Sequence, residues 1–238
     1  MPNPSGVDSL VPKLNVLIKG NRLPMETKVD ILSVTVSEDL DIPAMFTLEL
    51  VSWNLVKSQI TWADSELFDI GNTIEVQMGY GNTLKTLIVG EITGLEPEFS
   101  QTATPKLVVR GHDLRHRLLR GSKTRSFTQM KDSDIASKIA GEQGISCTVK
   151  DTSIKLEYIF QANQTDLEFL QQRAKRIGYE VTLEGKTLYF RSHQNNTQKV
   201  LTLNRSDDLI EFSPRLSTMS QVGQVGCISL WQIYQIES

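Results

Sequence analysis

The stretch 161–191, QANQTDLEFLQQRAKRIGYEVTLEGKTLYFR, constrains the fold most, because its hydrophobic period switches from 3.6 to 2 at a single glycine. Thr165 and Glu168 have the S/T-x-x-E spacing of a capping box. In such a box the hydroxyl and the carboxylate each accept from an N–H that the start of a helix leaves without a partner. This predicts a helix beginning at Asp166. Leu167, Leu170, Ala174 and Ile177 recur at three- and four-residue steps and make one apolar stripe, which leaves Gln171, Gln172, Arg173, Lys175 and Arg176 facing outward. Basic side chains suit the negative end of the helix dipole, and Gly178 can take the left-handed conformation that stops the helix. Tyr179, Val181 and Leu183 then alternate with polar residues, Glu184-Gly185 makes a turn, and 187–190 returns as a second strand. The unit is helix followed by hairpin, a small α/β packing module.

Before it, the text is mostly β. Residues 1–10 read as a flexible arm with two prolines and a glycine. Leu14, Val16 and Ile18 alternate, Gly20-Asn21 gives a turn, Val29, Ile31, Val34 and Val36 form a β-rich run, and 46–51 alternates again. A turn at 69–73 leads into a strand at 74–78, and Gly79-Tyr80-Gly81-Asn82 joins it to 84–89 as a hairpin. Gly90 to Leu95 runs into a polar loop, and 105–110 is one more strand. No helix-period segment interrupts these strands, so the first half is an antiparallel barrel or sandwich. Beyond Gly111 the text turns basic and irregular, then 132–141 reads as a short helix capped by Asp132 or Ser133, with Ile135 and Ile139 on one face. Strands follow at 147–149 and 157–161. Residues 194–198 read as a linker, and 200–203 and 209–212 return to strand-like text.

With 238 residues the chain can bury a substantial core, and 25 basic against 28 acidic side chains give a net charge of −3, which favours neither nucleic acid nor a membrane surface. Cys147 and Cys227 are far apart and form no CxxC, so neither a zinc ribbon nor a disulfide framework is indicated. The N-terminus lacks the basic and apolar regions of a secretion signal, and no run approaches the ~20 apolar residues of a membrane span. The expected setting is the cytoplasm.

Three constellations carry possible chemistry. His112 and His116 are four apart and could share a helix face as metal ligands, but no acidic or cysteine ligand completes the set and His193 is distant in sequence. Ordinary surface histidines are the reading. The basic residues Lys106, Arg110, Arg115, Arg117, Arg120, Lys123 and Arg125, opposed locally only by Asp113, could track phosphates. Phe127 is the lone nearby aromatic, so a solvated face or inter-subunit ion pairs account for them better. Glu91, Glu96 and Glu98 could be imagined as the acid and base of a glycosidase, yet they sit in a loop with nothing to shift either pKa. Gly79-Tyr80-Gly81 and Gly90–Gly94 lack the GK[ST] ending or strand-to-helix context of a phosphate loop. Three histidines give no Ser/His/Asp or Cys/His arrangement. No catalytic, cofactor or metal residue is therefore assigned, and no cofactor is expected.

Taken in order, FTLEL…W, IGNTIEVQMGYGN, LIVGEITGLEPEF, LVVRGHDLRHRLLRG, DSDIASKIAGEQGI and QANQTDLEFLQQRAKRIGYEV…LYF resemble the phage late-control D family. These are baseplate hub proteins of contractile tails and related injection systems, similar in fold to the hub portion of the VgrG spike protein. The resemblance covers about residues 10–225. It implies a mixed α+β, mainly β chain: a flexible arm at 1–10, a first β-barrel-like tube domain at 11–116, an α/β insertion at 117–192, and the start of a second barrel at 193–238. It also implies a homotrimeric ring that joins a tail tube protein to a spike protein, matching a hexameric tube to a threefold spike, with no catalytic residue to carry over. The sequence departs from that pattern after Val225, where GCISLWQIYQIES replaces the expected continuation. This predicts a second barrel left incomplete by truncation or frameshift, with strand edges that a partner or another copy must cover. A tail-associated peptidoglycan-degrading enzyme and a nucleic-acid-binding β-barrel are the alternatives, the first resting on Glu91 and Glu98 and the second on Arg115 and Arg120.

Overall fold

The computed structural model describes residues 12–193 apart from 55, 56, 63, 81 and 82. The described residues belong to one compact unit, 1–194. The expected N-terminal arm and the start of a second barrel, with its atypical tail and Cys227, lie outside the described residues.

The first half is β1 (Pro12–Ile18), β2 (Asn21–Arg22), α1 (Met25–Val29), β3 (Ile31–Ser37), β4 (Met45–Val51), β5 (Thr73–Tyr80), β6 (Thr83–Glu98) and β7 (Lys106–Asp113), with a 3-10 turn at Glu66–Phe68 before β5. The strands form one seven-stranded sheet in the order β2-β1-β5-β6-β7-β4-β3, antiparallel at every pair. Alternate residues of the strands, among them Val16, Leu48, Val76, Ile92 and Val109, meet in a single hydrophobic cluster with Phe68. Side chains on one face of one sheet can converge that way only if the sheet curls around them. The connectivity requires the same. β2 and β3 close opposite ends of the strand order, yet only residues 23–30 separate them. At about 1.5 Å per helical and about 3.3 Å per extended residue that link reaches at most ~20 Å. The domain is therefore barrel-like, and among the described residues the link carrying α1, and not a ladder, joins β2 to β3. Thr27 of α1 is fully buried while Met25 and Val29 face outward.

Two expectations change here. Val29 ends α1 and does not belong to a strand, the β run beginning only at Ile31. The polar loop expected to follow Gly90–Leu95 begins only after Glu98, because β6 runs from Thr83 to Glu98 with a register shift between Ile92 and Gly94. Gly90 and Gly94 within β6 serve close approach and a bulge. A Cβ on Gly90 would come within 2.3 Å of the His112 carbonyl oxygen.

The second half follows a 3-10 turn at Leu114–Leu119: β8 (Lys123–Met130), α2 (Asp132–Glu142), β9 (Ser146–Val149), β10 (Leu156–Gln164), α3 (Asp166–Arg176), β11 (Tyr179–Glu184) and β12 (Thr187–Ser192). β8 pairs with β10, while β12 pairs with β11 antiparallel and with β9 parallel. A second cluster lies between the helices and these strands, built around Ile135, Ile139, Leu167, Leu170 and Phe190, with Phe127 stacked on Phe169 at 5.7 Å.

α3 begins where the spacing predicts. The Thr165 hydroxyl accepts from the Glu168 N–H at 3.3 Å and Glu168 accepts from the Thr165 N–H at 2.9 Å. That second bond holds the Glu168 carboxyl below the usual carboxylate range. Gly178 has φ +66°, as a helix stop requires. Thr165→Ala should therefore cost about 1 kcal/mol, measured as a lower urea midpoint with unchanged m value. A midpoint equal to the unmodified protein's would show that the box contributes nothing to stability. The cap of α2 differs from expectation. Lys131 occupies the N-cap position, and its N–H meets the Asp134 carboxylate at 3.4 Å. Asp132 is instead one residue inside the helix and binds Arg173 in a two-pronged ion pair at 2.6 and 3.0 Å. Arg173 is thus turned in against α2 and does not face solvent.

Candidate functional site

The groups that could carry chemistry gather where β6, β7 and the 3-10 turn after β7 meet. Glu91 is buried on β6, and Arg117 reaches it with two guanidinium nitrogens, Nη2 to Oε1 and Nε to Oε2. Arg117 also donates through Nη1 to the Gln143 carbonyl at the end of α2, at 2.9 Å. The pair is a strut from the curled sheet to the helical half. Glu96 lies further along the same strand, exposed and paired with Arg110 at 2.8 Å. The expected loop carrying Glu91, Glu96 and Glu98 is thus ordered strand. Glu91 and Glu96 each face a guanidinium, that of Arg117 and that of Arg110.

The histidines join the same strut. His116 Nδ1 lies 2.7 Å from the Asp113 carbonyl, so it carries the proton, and Nε2 accepts from Arg120 at 3.0 Å with Glu91 at 3.4 Å. The ring thus links the Asp113 carbonyl to Arg120. His112 stands 6.3 Å from it, ring to ring, and its Nδ1 meets the Thr93 hydroxyl at 2.9 Å. Burial, with His116 adding to it against Asp113, holds His112 below the usual histidine range. His193 is bound elsewhere, 3.0 Å from Glu180. Among the described residues no group of three or more His, Cys, Asp or Glu side chains could hold a metal ion.

The basic run is only in part a solvated face, with Arg120 exposed and Arg115, Lys123 and Arg125 drawn inward. Arg115 is 4 % exposed. Its guanidinium binds Asp113 Oδ2 at 2.8 and 3.0 Å and the Leu40 and Asp39 carbonyls at 3.0 and 3.1 Å. The same Asp113 carboxylate accepts from the Ala44 N–H. Lys123 and Arg125 converge on Asp166 at 2.6 and 2.8 Å, and Arg125 also binds Glu142. The sequence showed only Asp113 against this run, whereas folding brings Glu91, Glu96, Glu142 and Asp166 to it across separations of 14 to 43 residues. These cations are internal struts, which leaves no continuous stripe for a phosphate backbone.

What remains open for function is surface. Tyr158 and Phe160 stack at 6.4 Å on the outer face of β10, 62 % and 50 % exposed, opposite Thr128 and Ser126 of β8. Met25, Val29 and Leu32 are exposed around α1, and Leu40 and Ile42 are exposed in the β3–β4 loop. A cleft of about 380 Å³ lies between that loop and the β11–β12 hairpin, lined by Glu38, Asp113, Arg115 and Thr182. Of its charged walls, Asp113 and Arg115 are paired with each other. None of these surface residues stood out in the sequence except through alternation, since Tyr158 and Phe160 flank the inward Ile159.

Comparison with known proteins adds the family and the fold. The family described as the Alg8 N-terminal domain matches residues 8–237, including the tail that departs from the late-control D pattern. No curated protein matches. The prophage MuSo2 43 kDa tail protein from Shewanella oneidensis superposes with TM-score 0.58 at 21 % identity, over 76 % of this chain and 53 % of its own. The tail protein from Neisseria meningitidis MC58 gives 0.59 at 19 %, over 82 % and 56 %. The E. coli c3393 protein, a component of the type VI secretion system with structural similarity to the T4 bacteriophage tail proteins gp27 and gp5, gives 0.59 at 19 %, over 80 % and 53 %. The mainly β fold with antiparallel sheets is thus a tail-protein fold, and the chain spans about half the length of these structures.

Proposed function

The chain belongs to the Alg8 N-terminal domain family, and from its tail-protein fold we propose that it is a structural baseplate hub subunit. In this reading it connects tail tube to spike in a contractile phage tail or a phage-tail-like injection system. Residues 11–116 are the tube-like barrel domain and 117–192 an α/β insertion beside it. The subunit works as a homotrimer, meets a tube protein on one side and a spike protein on the other, is assembled in the cytoplasm, and performs no catalysis. The single observation that carries the proposal is the curled sheet with its α/β companion, matched to phage tail and type VI secretion proteins over three quarters or more of this chain.

The internal use of charge supports it. The carboxylates and guanidiniums nearest to a catalytic arrangement, Glu91, Asp113, Arg115 and Arg117, brace the junction between sheet and helices. A hub needs such rigidity and broad complementary surfaces, and it needs no reacting group. The test is electron microscopy of particles from the source cell carrying gold-labelled antibody against this chain. Label at the tube–spike junction is expected, and label confined to any other part of the particle would overturn the reading.

A further inference from the structure

Two exposed segments at opposite ends of β3 have the same build and opposite charge. The first, 19–32, holds the β1–β2 turn, β2, α1 and the start of β3. It exposes Met25, Val29 and Leu32 between Lys19, Arg22 and Lys28; of its two acids Glu26 is exposed, while Asp30 is half-buried and accepts from the Trp62 indole N–H at 2.8 Å. The second is the β3–β4 loop, which exposes Leu40 and Ile42 between Glu38, Asp39 and Asp41. This loop has a fixed shape. Asp39 Oδ1 accepts the Asp41 and Ile42 N–H groups at 2.7 and 3.3 Å, Arg115 holds two of the loop's carbonyls, and Gln171 donates to the Asp41 carbonyl at 2.6 Å. Lys175 stands 3.6 Å from Asp41, both well exposed.

We propose that the acidic β3–β4 loop of one copy of this chain docks on the basic α1 segment of a second copy. The apolar pair Leu40 and Ile42 seats against Met25, Val29 and Leu32, inside a rim of complementary charge. Aliphatic side chains exposed on a braced loop gain by desolvation, and a charged rim of opposite sign selects orientation and speeds encounter. The seven residues of β3 separate the patches by about 23 Å in an extended strand. Used head to tail, the loop of one copy on the α1 segment of the next, the contact repeats from copy to copy, as the homotrimer reading requires. Such contacts close into a ring when the rotation per subunit allows. The inference rests on the homotrimer reading and gives it an interface.

Sedimentation velocity on the 238-residue chain tests it. Self-association is expected at low salt and should weaken at about 1 M salt, where the screening length falls to about 3 Å. Glu38→Lys with Asp41→Lys, and separately Arg22→Glu with Lys28→Glu, should each weaken it at low salt by about tenfold or more, because like charges then meet. Mixing the two variants should restore association that neither shows alone. Circular dichroism confirms their fold, and the salt series on the unmodified chain stands without them. Self-association that ignores both charge reversals removes this interface and leaves a homo-oligomer standing. A chain that stays monomeric at low salt removes the interface and the homotrimer together.

Discussion

Asp166→Ala is expected to lower stability by about 3 kcal/mol, read as a fall in urea midpoint at unchanged m value. Asp166 is 1 % exposed in the first turn of α3. Its carboxylate accepts from Lys123, Arg125, Gln161 and Gln143 at 2.6, 2.8, 3.1 and 3.2 Å. Removing one member of a buried charged set costs about 3 to 5 kcal/mol, because the partners stay desolvated without compensation. The low end applies because Glu142 remains beside Arg125 at 2.5 Å and near Lys123 at 3.9 Å, while Gln161 keeps the Gln164 carbonyl. The pH dependence has a definite sign. Burial alone would raise this carboxyl, but the hydrogen bonds from Lys123 and Gln161 and the charge of Arg125 outweigh it and hold it below its ordinary value. The group therefore contributes fully above the unfolded carboxylate pKa of about 3.9, and the contribution disappears as pH falls through the lower folded value. The gap between the unmodified protein and Asp166→Asn should be widest near neutrality and narrow below about pH 4. A gap constant down to the acid end would mean that Asp166 acts through shape and not through charge.

The same residue marks the boundary of what a linear reading can reach. Thr165, Glu168 and Gly178 lie within one helix and announce its start and stop by local chemistry, which is why α3 and the following hairpin were legible to the residue. Strand alternation at 14–18, 46–51 and 74–78 likewise needs no distant partner. The end of β6 was misread because the polar text at 96–98 looks like a loop, and only its pairing with β7 shows it to be strand. The basic run looked solvated because its counter-charges arrive from β6, α2 and α3. Arg173 looked outward for the same reason, its partner Asp132 belonging to α2. The parallel pairing of β12 with β9 crosses an intervening strand, helix and hairpin, so no local period could signal it. On the functional side, the absence of a site assignment left only surfaces to consider. Surface contacts are set by which exposed residues share a face, a property of the folded sheet. The resemblance supplied the tail-protein fold through the order of several motifs, while the matched family carries a description different from late control D.

Gly111→Ala should be strongly damaging to the sheet, costing about 3 kcal/mol or more, at or beyond the upper end of ordinary overpacking. Gly111 lies on β7 between β4 and β6, directly opposite Phe46 and Ile92. A Cβ there would come within 2.2 Å of the Glu91 carbonyl oxygen and within 2.2 and 2.3 Å of the Cζ and Cε1 atoms of Phe46. Phe46 is fully buried in the first cluster, so its ring has nowhere to swing. The carbonyl belongs to backbone and can retreat only if β6 moves. Moving it carries Glu91 away from Arg117 and slackens the strut that Arg117 makes to the end of α2. Gly94→Ala on the same strand is the control, since its Cβ would meet nothing within 4 Å. It should stay within about 0.5 kcal/mol of the unmodified protein. Phe46→Leu combined with Gly111→Ala should recover part of the loss, because the ring contacts are relieved while the backbone contact persists, and the two sites couple through that shared volume. A Gly111→Ala protein as stable as the Gly94→Ala control would mean that β4 and β7 sit further apart than their register demands. The rigid junction on which the hub reading depends would then be looser than its geometry indicates.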